Sequence, residues 1–176
     1  FAQRVEREQV DQNFIRNGSG KRSPFEFLSK SHGLIRAGLV ACGLSEWGKR
    51  NARSILIEEH TVVLKELPRV FDGLRLLHIA DMHFECSSAI TDALVDAVQQ
   101  VQADVTVCTG DFRFATVGPV DACMRDMRQV VPHLPEPVWS VLGNHDALAM
   151  VPELEAMGVQ VLMNEAASIT RGEHRL

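Results

Sequence analysis

The sequence predicts an α/β domain with a parallel sheet whose chemistry gathers at one edge. Three observations carry this. Apolar runs at residues 74–80, 104–109 and 138–142 alternate with stretches of helical spacing at 87–101 and 117–131. Strand, helix, strand in that order implies right-handed crossovers in a parallel sheet. Each apolar run ends abruptly in polar residues that can bind metal: Asp81-x-His83, Gly110-Asp111 and Gly143-Asn144-His145-Asp146. Ligands of open α/β sheets bind outside the carboxyl ends of the strands, so three neighbouring strands would bring these tips together.

The elements follow in chain order. Residues 1–16 are polar, with apolar positions at Val5, Val10, Phe14 and Ile15 that allow a helix. Residues 17–24, Asn-Gly-Ser-Gly-Lys-Arg-Ser-Pro, form a breaker-rich linker. Between Phe25 and Trp47 the apolar spacings near three and four predict one or two short helices, interrupted by Gly33, Gly38 and Gly43. Residues 54–67 alternate in part and are expected as one or two edge strands ended by Pro68. Phe71-Asp72-Gly73 is a turn, and the strand at 74–80 is apolar enough to be covered on both faces. Ser87 or Ser88 can cap the helix at 87–101, and Pro119 falls in the first turn of the helix at 117–131. A short helix at 152–157 closes at Gly158, a fourth strand covers 159–163, and residues 168–176 form a hairpin turning at Gly172.

At 176 residues one domain is expected, with residues 1–53 as an N-terminal helical and linker segment and residues 54–176 as the α/β domain. An apolar fraction of 45% is ordinary for a globular chain. The net charge of −5 leaves no nucleic-acid footprint. It is unevenly spread: residues 1–53 carry ten Lys and Arg against five Asp and Glu, and the remainder eight against eighteen. An acidic half suits a cation site, and a solvated acidic surface gives the same count. The N-terminal segment at 25–50 either covers the sheet or makes peripheral membrane contact. No apolar run approaches the roughly 20 residues of a membrane span. The four cysteines form no C-x-x-C pair, so a cytoplasmic, reducing location is the simplest setting, with membrane association left open. Cys108, inside an apolar strand, is a small core residue.

Asp81 and His83 are two apart, which keeps both side chains on one side of an extended backbone. A carboxylate and an imidazole there can hold one divalent ion. Asp111 adds a carboxylate with enough oxygens to bridge two ions, and Asn144 offers a neutral oxygen. His145 is left free to donate a proton or stabilise charge. Such mixed oxygen and nitrogen ligands suit manganese, iron, zinc or magnesium. Taken singly, Gly-Asp and Gly-Asn are ordinary turn formers; the three tips in order, each ending an apolar strand, make the metal site the better explanation. His78 lies inside its strand and is expected as a satisfied buried histidine, while His32, His60, His133 and His174 have no ligand context. No serine sits in a nucleophile elbow, and no Gly-x-Gly-x-x-Gly or P-loop follows a strand.

Asp81-x-His83, Gly110-Asp111 and Gly143-Asn144-His145-Asp146 resemble the first three signatures of the calcineurin-like metallophosphoesterases. Residues 71–83 look like the bacterial branch of phosphohydrolases and phosphodiesterases. The resemblance covers about residues 54–176. It implies the first half of a β-sandwich flanked by helices, with two divalent ions. Asp81 and His83 bind the first ion, Asp111 bridges, Asn144 binds the second, and His145 is catalytic. The implied activity is hydrolysis of phosphate monoesters or diesters by a hydroxide between the ions. The family's later lone His and Gly-His-x-His signature are missing from these residues, which implies a C-terminally truncated chain whose isolated form is inactive. The rival is a natural half-site or interaction module without catalysis. Where some members place an acid three residues after the bridging Asp, this chain has Phe114. His145 is therefore expected to lack a partner from that loop, with Asp146 as the residue that could orient it.

Overall fold

The computed structural model describes residues 3–6, 8, 33, 35 and 37–176. Phe1–Ile55 and Leu56–Leu176 form two compact units. In the first, the described residues at 3–6 and 8 and between 33 and 41 are helical, and helix α1 (Leu44–Arg53) follows. Gly43 separates the two helical stretches in a left-handed conformation, φ 71°, which glycine adopts without steric cost. Helix α1 buries none of its residues, and it carries Glu46 in its first turn and Arg50 and Arg53 in its last, the polarity that suits the helix dipole. The expected linker at 17–24 and most of the expected helix at 1–16 lie outside the described residues. No helix among the described residues is long and apolar enough to cross a membrane.

The second unit is built on a four-stranded parallel sheet in the order β1 (Leu76–Ile79), β2 (Val105–Cys108), β3 (Val138–Ser140), β4 (Val159–Val161). Helices α2 (Ser88–Val98), α3 (Asp121–Val130) and α4 (Val151–Ala156) make the crossovers. Because each strand is added on the same side of the last, right-handed crossovers put all three helices on one face. Thr106, Cys108, Val138, Ser140, Val159 and Val161 are buried on that face, joined in the core by Leu94 and Val98 of α2, Met124 and Met127 of α3 and Leu154 of α4. Each fully buried Met or Leu contributes roughly 1.5–3 kcal/mol. A hairpin of β5 (Thr170–Arg171) and β6 (His174–Arg175) turns at Gly172, φ 61°.

Five expectations are corrected. The strand at 74–80 is covered on one face only: Leu76 is 54% exposed and His78 is exposed, bonded at 2.9 Å to the Thr109 hydroxyl rather than buried. The reason is topological, since all crossovers share one side and β1 is an edge strand. Residues 54–67 form no strand. Alternation cannot make a strand without a ladder partner, and Glu58-Glu59-His60 interrupts the pattern. Helix α3 starts at Asp121, so Pro119 precedes it. Ser87 occupies the N-cap of α2, yet its side chain makes no capping bond.

Candidate metal centre at the strand tips

The chain leaves β1 and β2 side by side, and the pairing continues past both strands. Asp81 N–H donates to Gly110 O at 3.1 Å, His83 N–H to Asp111 O at 3.1 Å and Phe84 N–H to Phe112 O at 3.0 Å. These three bonds set residues 81–84 beside residues 110–112. Asp81, His83 and Asp111 adopt left-handed backbone, φ 52°, 44° and 53°, a conformation costly for residues with a Cβ and concentrated at functional sites. The result is that one ligand atom from each of Asp81, His83 and Asp111 lies within 4.8 Å of the others.

The third tip locks onto the second. Asp146 is 4% exposed. Its carboxylate accepts the amides of Asp111 and Gly143, each at 2.8 Å, and of Arg113 at 3.2 Å. His145 N–H donates to Asp111 Oδ1 at 3.0 Å. The approach is so close that a Cβ built on Gly143 would strike the Asp111 carboxylate, and one on Gly110 would strike the Gly143 backbone. Glycine at these positions is therefore a packing requirement. The His83 and His145 rings meet edge to face with centroids 5.1 Å apart. Asn144 is exposed on this same tip, between the two residues whose amides carry these bonds.

Two further expectations change here. His145 has a partner from the loop after Asp111: its Nδ1 lies 2.7 Å from the Phe114 carbonyl oxygen. A backbone acceptor does what the side chain at position 114 cannot. Asp146 binds three amides and braces the tips rather than holding the His145 ring. His83 is held in the same manner as His145, with Nδ1 2.6 Å from Arg113 O. A carbonyl only accepts, so each Nδ1 carries the hydrogen, and in the neutral ring each Nε2 keeps its lone pair. Such a partner on the second nitrogen is the usual companion of a metal-binding histidine.

The residues fit a divalent ion. Two carboxylates and an imidazole form a hard, mixed donor set suited to manganese, iron, zinc or magnesium. Among the described residues neither Asp81 nor Asp111 is in an ion pair with a basic side chain. Side-by-side carboxylates of that kind repel until a cation joins them.

Two neighbours, Arg113 and Glu85, escaped the sequence, and the ring of a third, Phe114, figures there only as a missing acid. Arg113 is 1% exposed, Glu85 stands beside it, and Phe114 is 59% exposed with its ring 5.9 Å from that of His83. A charge flanked by two phenylalanines, Phe112-Arg113-Phe114, was the available signal. Burial pushes the thiols of Cys108 and Cys123 up to about 12, which fits core residues and not reactive ones.

No curated protein matches the chain. The calcineurin-like phosphoesterase family matches residues 74–169, a span that begins just before β1, contains all three tips and ends before the hairpin. With more than half of its length matched on the strands that carry the Asp81, His83 and Asp111 cluster, the chain belongs to the calcineurin-like phosphoesterase family.

Proposed function

We propose that this domain hydrolyses phosphate monoesters or diesters using two divalent ions held at the tips of β1, β2 and β3. The observation that carries the proposal is the convergence of Asp81, His83 and Asp111 within 4.8 Å. Family membership supports metal-dependent hydrolysis of phosphate esters. In this proposal Asp81 and His83 hold one ion, Asp111 is shared, and Asn144 serves the second. Ions bound there supply an acidified water and neutralise charge on the phosphoryl oxygens.

The protein's own part is positional. Phe114 O fixes the His145 ring through Nδ1 at 2.7 Å, which leaves Nε2 to serve the leaving oxygen or the phosphoryl charge. Asp146 holds the backbone of Asp111, Arg113 and Gly143 in one rigid unit. A second proposal, a half-site that binds one ion without turnover, draws on the same cluster, because two carboxylates and an imidazole serve one ion better than two.

We place the phosphoesterase domain at residues 54–176 and a separate segment at 1–53, supported by the two compact units. Exposed Ile35, Leu39, Val40, Leu44 and Trp47, with Lys49, Arg50 and Arg53 nearby, support peripheral contact with an anionic membrane. Four free cysteines support a reducing, cytoplasmic location.

The test is hydrolysis of aryl phosphate mono- and diesters by the natural full-length protein with Mn²⁺. His145→Ala should lower kcat by about 10²–10⁴-fold and leave the metal content unchanged. Loss of metal with His145→Ala would make that residue a ligand and defeat the assignment.

A further inference from the structure

The two carbonyls that hold the histidines are consecutive. Arg113 O receives His83 Nδ1 and Phe114 O receives His145 Nδ1. These residues lie in irregular backbone between β2 and α3, and no ladder fixes their carbonyls. What fixes them comes from outside the tips. Glu85 Oε2 accepts the Phe114 amide at 3.1 Å and the Ala115 amide at 2.8 Å. The buried Arg113 guanidinium grips the other end of the loop, with Nη2 donating to the carbonyls of Val117, Gly118 and Pro119 at 3.1, 3.2 and 3.3 Å. Its Nε has no hydrogen-bond partner and sits 3.6 Å from Glu85 Oε1. A buried guanidinium is costly without a nearby anion, and Glu85 is that anion while also holding two amides.

We propose that Glu85 is a positioning residue: it clamps residues 113–115 against the buried Arg113 and thereby sets the Nδ1–H tautomer of both His83 and His145. Free imidazole in water favours the opposite tautomer, with hydrogen on Nε2. The clamp reverses that preference at two rings with one carboxylate, so both Nε2 atoms are available together, one toward an ion and one toward substrate. This use of the Nε2 atoms rests on the function proposed above; the tautomers themselves do not.

The experiment reads tautomers directly, by long-range proton–nitrogen NMR on the metal-free whole chain in mildly alkaline solution, with Mn²⁺ affinity measured alongside. The wild type should show Nδ1–H at both His83 and His145. Glu85→Ala should release both rings toward Nε2–H and weaken Mn²⁺ about 10–100-fold, the usual effect of losing an outer-shell partner. Glu85→Gln, which keeps an oxygen for the two amides, should restore both tautomers. Should Glu85→Ala fail to fold, Glu85→Asp takes its place. It keeps the charge but is one methylene short of the amides, and should lose the tautomers that Glu85→Gln keeps. Tautomers unchanged in Glu85→Ala, or kept in Glu85→Asp and lost in Glu85→Gln, would overturn the clamp and leave only a counter-ion to Arg113. A wild type that holds both tautomers yet binds no Mn²⁺ would support the clamp and defeat the metal function.

Discussion

The layer at the carboxyl ends of β1, β2 and β3 and the helix α1 use charged residues in opposite ways. At the tips, Asp146 and Arg113 are 4% and 1% exposed, and their polar atoms bind backbone groups of the loops, Asp146 joining one loop to the next and Arg113 closing its own. In α1 no residue is buried, and Lys49 reaches Glu46 one turn away on the surface. That contact, chiefly its hydrogen bond, holds the Glu46 carboxyl below the ordinary range. A charge of the first kind is framework, and removing it should disturb a shape. A charge of the second kind is solvated, and removing it should change only what the surface attracts.

The comparison breaks if Asp146 proves dispensable. Asp146→Ala leaves one buried and two part-buried amides without their acceptor, each costing about 1–3 kcal/mol when unsatisfied. A total loss of roughly 3 kcal/mol is expected in denaturant unfolding, with Mn²⁺ affinity falling in parallel because Asp111 is no longer anchored. A loss below about 1 kcal/mol would mean that water replaces the carboxylate without strain.

A smaller effect sharpens the rule within one helix. Asp126 in α3 is buried, and burial raises its carboxyl above the ordinary aspartate range, opposed by Arg125 and reinforced by Asp92 and Glu85. The folded value exceeds the unfolded one, so the stability it contributes is fully present below the ordinary aspartate range. That contribution is lost as pH rises through the folded value. At neutral pH the ionised group is therefore a cost. Asp126→Asn should stabilise at neutral pH by about 0.5 kcal/mol or less, because solvent still screens the group. The gain should vanish in acid. A gain independent of pH would assign it to packing.

On the metal site itself the smallest effect belongs to the segment at 1–53. Its removal should leave Mn²⁺ binding unchanged and reduce sedimentation with anionic vesicles, to which each basic residue near the surface contributes about 1 kcal/mol. Equal sedimentation with and without the segment would remove the membrane role.

The sequence made the tips legible because each one changes residue type sharply, from an apolar run into Asp81-x-His83, Gly110-Asp111 or Gly143-Asn144-His145. The parallel order was legible from the spacing of the helices between the runs. Three things were not. Backbone acceptors have no residue code, so the carbonyls of Arg113 and Phe114 that hold His83 and His145 were invisible, and Phe114 looked like a lost partner. Asp146 adjoins His145 in sequence, yet its carboxylate turns to amides 33 and 35 residues away. An apolar strand does not say which of its faces is covered, and β1 has Leu76 and His78 exposed.

Whether Asp81, His83 and Asp111 hold a divalent ion is decided by calorimetric titration of the whole chain with Mn²⁺. Asp111→Asn is the comparison of choice, because asparagine keeps an oxygen for the His145 amide and so spares the framework while removing the ligand charge. The wild type should bind saturably, and Asp111→Asn should weaken binding at least about 100-fold, near 3 kcal/mol, with the fold retained. Equal binding by the two proteins, or no saturable binding by the wild type, would contradict the account.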